Sequence, residues 1–378
     1  MKQGWEIAEF EDCLEKVAYT NKIQRKDFKE EGIYPIVSQE KDFINGYWDN
    51  KVDLFRVDKP VVIFGDHTQV IKFVDFNFVL GADGVKILKL KEKIDAKYFY
   101  YYLQNIDLGS LGYARHYRLL KEIKVVYPKS LSEQEKIVSI LDKAFYAIEQ
   151  AKQNAEKNLK NAKELFDSYL SNLFTNKSSG STYDTLDSLC ELIVDCEHKT
   201  APIQERGIPS IRTPNIGKGV LILDNVNRVS EQTYNEWTRR AIPQGGDLIL
   251  AREAPAGNIA IIPDNMKVCL GQRTVLIRTI KKRIIPKFLA YLILSNDVQL
   301  KLLSLSTGST VAHINMKDIR AFKIFNLNSL IEQQEIVQKL DTLSAKTKQL
   351  EEVYQQKLIE LDDLKKSILQ KAFNGELI

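Results

Sequence analysis

Two cysteines and a histidine have a spacing that could bind a metal ion. Cys190, Cys196 and His198 form the pattern C-x5-C-x-H, and thiolate and imidazole groups are the usual ligands of zinc. A structural zinc site needs four ligands, and this pattern defines no fourth one. The other histidines, at positions 67, 116 and 313, are too scattered to predict a catalytic triad. We therefore expect ordinary structural roles for the three residues, with no metal and no cofactor on this chain.

The motifs of the common nucleotide-dependent and metal-dependent enzymes are absent from the sequence. There is no GxxxxGK[ST] phosphate loop, no GxGxxG after a predicted strand and no HExxH. The Asn-Pro-Pro-aromatic stretch of amino-methyltransferases is missing too, since the chain contains no Pro-Pro pair. These absences argue against an enzyme. A nuclease or a methyltransferase with an unfamiliar site remains the alternative.

A row of cationic and aromatic residues in the first half of the chain is typical of nucleic-acid contacts. Residues 112–118 read GYARHYR, and residues 65–70 read GDHTQV after an apolar run. Cations bind phosphates, and polar side chains at the end of a strand can reach base edges. The alternative is an exposed loop and an ordinary turn. The predicted DNA contacts in this half are Arg115, His116, Tyr117, Arg118, His67 and Gln69.

The excess positive charge lies in the second half. Residues 176–329 contain 20 basic and 14 acidic side chains, so their net charge is +6, compared with +4 for the whole chain. Arg and Gln suit guanine and adenine edges, respectively. As an alternative, Arg252 and Arg273 could pair with carboxylates inside the fold. The predicted DNA contacts are His198, Lys199, Arg212, Arg252, Gln272, Arg273 and His313, with Ser309 and Thr310 close to the last of them.

Two similar helix openings lie 199 residues apart. SLSEQEKIVSILD begins at Ser130, and SLIEQQEIVQKLD begins at Ser329. Each contains a Ser-x-x-Glu capping signature, although Ser132 and Glu135 offer a competing start in the first. Neither segment contains Gly or Pro before its final Phe, and apolar residues recur in steps of three and four. We predict two helices, each about 60 Å long, that pair with each other. Separate packing on two domains is the alternative.

The order along the chain is globule, long helix, globule, long helix. Short β-rich runs between Gly, Pro and Asn predict strands and turns in both globules. The predicted fold class is α+β (mixed α/β), with a first globule at 1–129, a helix at 130–175, a linker and second globule at 176–329, and a helix at 330–378. A short linker makes the pairing antiparallel and puts the globules at opposite ends. Such a pseudo-two-fold internal repeat suits a two-part target on duplex DNA.

The segments EQEKIVSILD and EQQEIVQKLD, each placed after a globule, and the tail ILQKAFNGELI resemble the specificity subunit of type I restriction–modification systems. The resemblance covers essentially the whole chain, and GYARHYRLLKEIKV looks like the end of a target recognition domain of that family. It implies two target recognition domains that read a gapped duplex DNA target. It also implies that two modification subunits, which methylate adenine, dock on the paired helices and that restriction subunits act through them. S-adenosylmethionine, ATP and Mg²⁺ would belong to these partners, and this chain would be non-catalytic.

The long-helix segments carry the candidates for partner contacts, which are Glu133, Gln134, Glu332, Gln333 and Phe373. The alternative is that these residues tie each helix to its own globule. Two other interpretations of the chain stay open. One is an orphan or exchangeable specificity subunit without active restriction, and the other is a coiled-coil protein adaptor. With no signal peptide and no membrane-length apolar run, the sequence predicts a cytoplasmic protein.

Overall fold

The computed structural model describes residues 3–109, 112, 114–178, 182–253, 256–306 and 313–377. Within these ranges the chain is a mixture of helices and short strands, as predicted. The α-helices, in chain order, are α1 (Ala96–Gln104), α2 (Tyr117–Leu120), α3 (Leu131–Ser178), α4 (Leu186–Leu189), α5 (Glu231–Trp237), α6 (Pro286–Leu294), α7 (Asn296–Ser304), α8 (Met316–Ala321) and α9 (Leu330–Phe373). No helix in the described ranges is both long enough and apolar enough to cross a membrane.

The chain divides into two compact units. Unit 1 comprises Met1–Glu156 and Gln355–Ile378, and unit 2 comprises Lys157–Tyr354. Each unit contains one globule, the beginning of the long helix that follows this globule, and the end of the other long helix. The units therefore differ from the four predicted segments, because the packing divides both long helices.

The predicted pairing of α3 with α9 is confirmed. In unit 1, Lys152 of α3 forms an ion pair with Asp362 of α9. Nearby, the ammonium of Lys365 lies 5.0 Å from the centre of the Phe145 ring. Residue numbers rise along α3 as they fall along α9, so the helices are antiparallel here. Gly375, with a φ of +77°, provides the left-handed residue that commonly follows a helix such as α9.

Within the described residues, the strands of unit 1 form three small sheets. The strands are β1 (Trp5–Glu9), β2 (Lys22–Ile23), β3 (Tyr34–Val37), β4 (Gly46–Trp48), β5 (Leu54–Phe55), β6 (Val61–Gly65), β7 (Ile71–Val74), β8 (Phe78–Gly81), β9 (Val85–Leu88) and β10 (Lys124–Pro128). The sheets have the orders β1-β10, β7-β6-β9 and β2-β8-β3-β4, and β5 also pairs with β8. One core joins the first two of these sheets to both long helices, since Phe64, Tyr98, Leu141 and Phe373 are buried in it together.

Unit 2 repeats this plan. Its strands are β11 (Thr182–Thr185), β12 (Cys190–Asp195), β13 (Ile208–Ile211), β14 (Arg228–Val229), β15 (Leu248–Ala251), β16 (Ile259–Ile261), β17 (Cys269–Leu270), β18 (Thr274–Thr279) and β19 (Lys323–Asn326). The sheets are β11-β19, β12-β18-β15-β16 and β14-β13-β17. Strand β15, between β16 and β18, corresponds to β6 between β7 and β9. The core of this unit buries Phe174, Leu250, Phe288 and Leu340 together.

The four cysteines are buried and free, and we expect them to be unreactive in the folded protein. Burial raises the pKa of the Cys13 thiol to about 11 and the pKa values of Cys190 and Cys269 to about 12, and it also raises the pKa of Cys196. The reactive thiolate is therefore scarce at pH 8. Titration with Ellman's reagent should label all four thiols in denaturant and react only slowly with the native chain. Rapid native labelling of any thiol would contradict this.

Candidate nucleic-acid interface

An open cavity in unit 2 brings together side chains from four separate segments. Its volume is about 330 Å³. The residues that line it, named here the Arg252 cluster, are His198, Arg252, Glu253, Gln272, Arg273 and His313. All except Glu253 are among the DNA contacts predicted from the sequence. Antiparallel pairing of β18 with both β12 and β15 brings three of the segments together. An isolated antiparallel β-bridge between Glu253 and His313 adds the fourth segment.

Arg252 is the most enclosed cation of this cluster. Its side chain is 13% exposed, and its Nη1 lies 2.7 Å from Oδ2 of Asp195, which also lies 3.1 Å from Nε2 of His198. Nε of Arg252 donates to the carbonyl of Ile314 at 3.1 Å. For Arg252, the structure therefore shows the alternative, which is pairing with a carboxylate inside the fold. The acid is Asp195, which the sequence analysis did not single out.

Arg273 also pairs with a carboxylate but stays accessible. Its Nε is 2.8 Å from Oε2 of Glu253, and its side chain is 54% exposed. Beside it, the Gln272 amide donates to the carbonyl of His198 at 3.2 Å. The two arginines of the cluster are thus balanced by two acids. A balanced cluster is poorly suited to bind phosphate by charge alone, whereas fixed donors and acceptors suit base edges.

Two further predicted cations flank the cluster. Lys199 follows His198 and is exposed. Arg212 is exposed as well, and its stem crosses the backbone of Gly271, where a Cβ atom would lie 2.4 Å from Arg212 Cγ. Glycine is therefore required at this crossing. Ser309 and Thr310 lie outside the described residues.

In unit 1 the predicted residues surround Asp66, which follows β6. Asp66 is 2% exposed, and its Oδ1 accepts from the backbone N–H of Tyr117 at 2.8 Å. The Asp66 N–H donates to the carbonyl of Gly84, and the Asp66 carbonyl accepts from the N–H of His116, both at 2.7 Å. We name Asp66, His67, Gly84, His116 and Tyr117 the Asp66 cluster. It joins three loops.

His116 does not lie on the surface, as a direct DNA contact would require. Its side chain is 2% exposed, with Nδ1 3.1 Å from the Asp66 carbonyl. Tyr117 is partly buried, with its ring centre 6.0 Å from that of Phe10. Both residues therefore hold their segment in place in this structure.

The accessible predicted residues of unit 1 are the two arginines around this segment. Arg115 and Arg118 are exposed and stay candidates for phosphate contacts. His67 is partly buried, and its backbone N–H donates to the Gln39 side chain at 3.1 Å. The side-chain amide of Gln69 donates to the carbonyl of Gly109 at 2.8 Å.

Asp66 and Arg252 occupy equivalent positions in the two units. Each follows the middle strand of an antiparallel trio, β6 or β15. The backbone N–H of each residue donates to a carbonyl in the loop that precedes the paired strand, β9 or β18. The carbonyl of each residue accepts from an N–H in the segment that precedes α2 or α8. One backbone frame thus carries an aspartate in unit 1 and an arginine in unit 2, and both side chains are largely enclosed.

Two predicted partner contacts, Gln134 and Gln333, are fully buried. The Gln134 amide donates to the carbonyls of Lys93 and Pro128, and its Oε1 accepts from the N–H of Asp95 at 2.8 Å. Gln333 makes the corresponding bonds in unit 2. Their burial corrects the prediction for these two residues, since each side chain ties the start of a long helix to its own globule.

The other predicted partner contacts differ in accessibility. Glu133 and Glu332 are partly buried at the helix starts, and their contact with a partner stays a prediction. Phe373 is 8% exposed, and its ring packs edge-on against Tyr98 and Tyr102 of the first globule. The burial of Phe373 thus argues against a partner contact, but it ties α9 to the first globule and not, as the alternative stated, to the helix's own globule.

A matched polar network in both units escaped the sequence analysis. Asp142 of α3 pairs with Lys97 at 2.8 Å and accepts from the Tyr101 hydroxyl. In unit 2, Asp341 has the same partners, Lys287 at 2.8 Å and the Tyr291 hydroxyl at 2.6 Å. Burial and then the neighbouring aspartate raise the pKa values of both tyrosines. The repeat offered a signal, because both halves share Lys-x3-Tyr and the aligned Asp.

A family comparison identifies the repeated unit. The chain matches a family model described as type I restriction modification DNA specificity domain twice, over residues 2–158 and 181–361. The chain belongs to this family. The resemblance seen in the two EQ segments and the tail is thereby confirmed. Within the described residues of this specificity subunit, no group of His, Cys, Asp and Glu could hold a metal ion.

Two relatives of this specificity subunit come from Escherichia coli. The specificity subunit of type I restriction enzyme EcoR124I/EcoR124II is 26% identical over 355 residues, which cover 87% of this chain and 84% of the relative. The specificity subunit of EcoBI is 28% identical over 171 residues, or 45% of this chain and 36% of the relative.

Solved structures share the fold. A chain from work on complex assembly and conformational transition of the type I R-M system has a TM-score of 0.73 at 16% identity, covering 100% of this chain and 99% of that one. The HsdS subunit from Thermoanaerobacter tengcongensis has a TM-score of 0.59 at 16% identity, covering 100% and 98%. The mixed fold with two paired long helices is therefore confirmed.

Proposed function

We propose that this specificity subunit reads a gapped two-part sequence in duplex DNA, with one half-site bound by each globule. The observation that carries the proposal is the repeated frame with different side chains. A single fold that has Asp66 at this frame position in one copy and Arg252 in the other can hold two sets of loops in similar positions. Different donors and acceptors on these loops would read two different half-sites.

The surfaces of each unit would have separate tasks. Exposed cations such as Arg115, Arg118, Lys199 and Arg212 would bind phosphates and set the register on the duplex. The accessible part of the Arg252 cluster, with Arg273 at its centre, would contact base edges, because Glu253 orients the Arg273 side chain. Phosphate contacts make affinity dependent on salt, whereas base contacts determine the sequence.

The partners would supply the chemistry of the complex. Two modification subunits would dock on α3 and α9, and these helices would set the gap between the half-sites. Restriction subunits would act through the modification subunits. S-adenosylmethionine, ATP and Mg²⁺ would be held by the partners, so that this chain selects the DNA and catalyses no reaction.

Methylome sequencing tests this function directly. Cells that express this chain with its cognate modification subunit should acquire a gapped two-part motif with methylated adenine. The motif should be absent when the modification subunit is expressed alone, because that subunit then lacks a sequence reader. No new motif from a bound and intact partner would contradict the proposal and favour a silent orphan or an adaptor.

A segment exchange serves as the internal control of this experiment. Residues 1–129 are replaced by the corresponding segment of a relative with a different target. One half of the methylated motif should change while the other half stays the same. A change in both halves would contradict the assignment of one half-site to each globule.

A further inference from the structure

Arg273 has a backbone conformation that suits glycine. Its φ is +68°, in the left-handed region where a residue with a Cβ atom is strained. In unit 1 the equivalent residue is Gly84, which has a φ of +77° and adopts this conformation without strain. The Gly84 carbonyl accepts from Asp66 as the Arg273 carbonyl accepts from Arg252. The same frame therefore carries glycine in one copy and arginine in the other.

Other non-glycine residues with positive φ in the described chain have local explanations. Asn225 and Asn265 are asparagines, which tolerate this region well. Gln69 has a φ of +58°, and its side-chain amide bonds to Gly109, which joins two loops. Arg273 has no comparable bond to a backbone group within the described residues.

The ion pair of Arg273 orients its side chain without enclosing it. Glu253, only 19% exposed, holds the Nε edge of the guanidinium at 2.8 Å. An ion pair with one half-exposed member contributes little to folding. It therefore gives a weak structural reason to keep arginine at a strained position. Strain of this kind is typical of binding sites.

We propose that Arg273 is a specificity-determining residue of unit 2 and reads a guanine edge through its terminal amino groups, with Glu253 as its positioning residue. The proposal rests on the proposed function, since it requires that unit 2 binds a half-site. An oriented guanidinium can donate two parallel hydrogen bonds to O6 and N7 of guanine. Orientation by Glu253 reduces the side-chain freedom lost on binding.

The variant Arg273→Gly separates specificity from folding. Methylome sequencing of the assembled complex should show one guanine position becoming degenerate, in one half-site only. Methylation of the original motif should fall roughly 10- to 100-fold, the discrimination expected from a lost bidentate contact. The thermal unfolding midpoint of the isolated chain should not fall, because glycine suits the backbone at this position.

Control variants test two points. The first is whether loss of any exposed arginine of unit 2 changes the motif, and the second is whether Glu253 positions Arg273. Arg206→Ala removes an exposed arginine at the opposite end of β13 from Arg212, and it should leave the motif unchanged. Glu253→Ala should weaken the guanine requirement. Glu253→Gln keeps the size of the side chain but removes the charge of the ion pair, so it should weaken the requirement less than Glu253→Ala.

The outcomes distinguish the two proposals. A two-part wild-type motif that Arg273→Gly leaves intact overturns this inference alone. Loss of both half-sites together, or a lower unfolding midpoint of Arg273→Gly, also overturns it, because Arg273 would then be structural. A wild-type complex without a two-part motif overturns the proposed function and this inference with it.

Discussion

Replacing Phe373 with alanine should lower the free energy of unfolding of unit 1 by about 3–4 kcal/mol. The ring is 8% exposed, with its centre 5.3 Å from that of Tyr98 and 5.2 Å from that of Tyr102. Truncation removes buried apolar surface and leaves a cavity among rings that cannot close it fully. Urea denaturation followed by tryptophan fluorescence measures the change, since Trp5 and Trp48 lie in unit 1.

The repeat supplies matched controls for this variant. Phe174 packs against Phe288 and Phe325 in unit 2, so Phe174→Ala should destabilise unit 2 by a similar amount. Leu364 is 47% exposed on α9, and Leu364→Ala should have a small effect. A loss below about 1 kcal/mol for Phe373→Ala would contradict its place in the core. The sequence-based prediction of a partner contact would then regain support.

The variant Gln333→Ala should lower the free energy of unfolding of unit 2 by about 2–4 kcal/mol. The Gln333 Oε1 accepts from the N–H of Ile285 at 2.8 Å, and its Nε2 donates to the carbonyls of Leu327 at 2.7 Å and Arg283 at 3.1 Å. The side chain is completely buried. Alanine would leave an N–H and two carbonyls without this partner, and buried polar groups without partners are costly. Chemical denaturation of the purified chain measures the loss.

The neighbouring residue provides a control of the same type. Gln334 is exposed on α9, and Gln334→Ala should change stability very little. The equivalent change in unit 1, Gln134→Ala, should reproduce the loss seen for Gln333→Ala. Equal, small effects of the variants at 333 and 334 would show that the buried amide does not hold the helix to the globule.

The repeat made the large features predictable from the sequence. The openings after Ser130 and Ser329 and the absence of Gly and Pro predicted α3 and α9, and both helices are present. Helix periodicity is a local property, so it can be recognised without the fold. The Arg and Gln candidates of unit 2 were chosen by side-chain type, which is also visible in the sequence. Their DNA contacts stay predictions.

The partners of these side chains required the tertiary structure. Arg252 pairs with Asp195 across 57 residues of sequence, and Gln333 bonds to Ile285 across 48. No local pattern encodes such pairs, because they form only when separate strands and helices pack together. For the same reason the sequence could not separate a surface His116 from the buried one, since burial depends on distant loops.

The sequence by itself determined a duplicated α+β chain with two long helices, and its repeat was sufficient to indicate the family. Tertiary structure alone decided which polar residues are structural and which stay accessible. Gln134 and Gln333 are enclosed, because their amides satisfy backbone groups at the joint between helix and globule. Arg273 is half exposed on a strained backbone, because strand pairing brings its loop beside Glu253 at the mouth of the cavity.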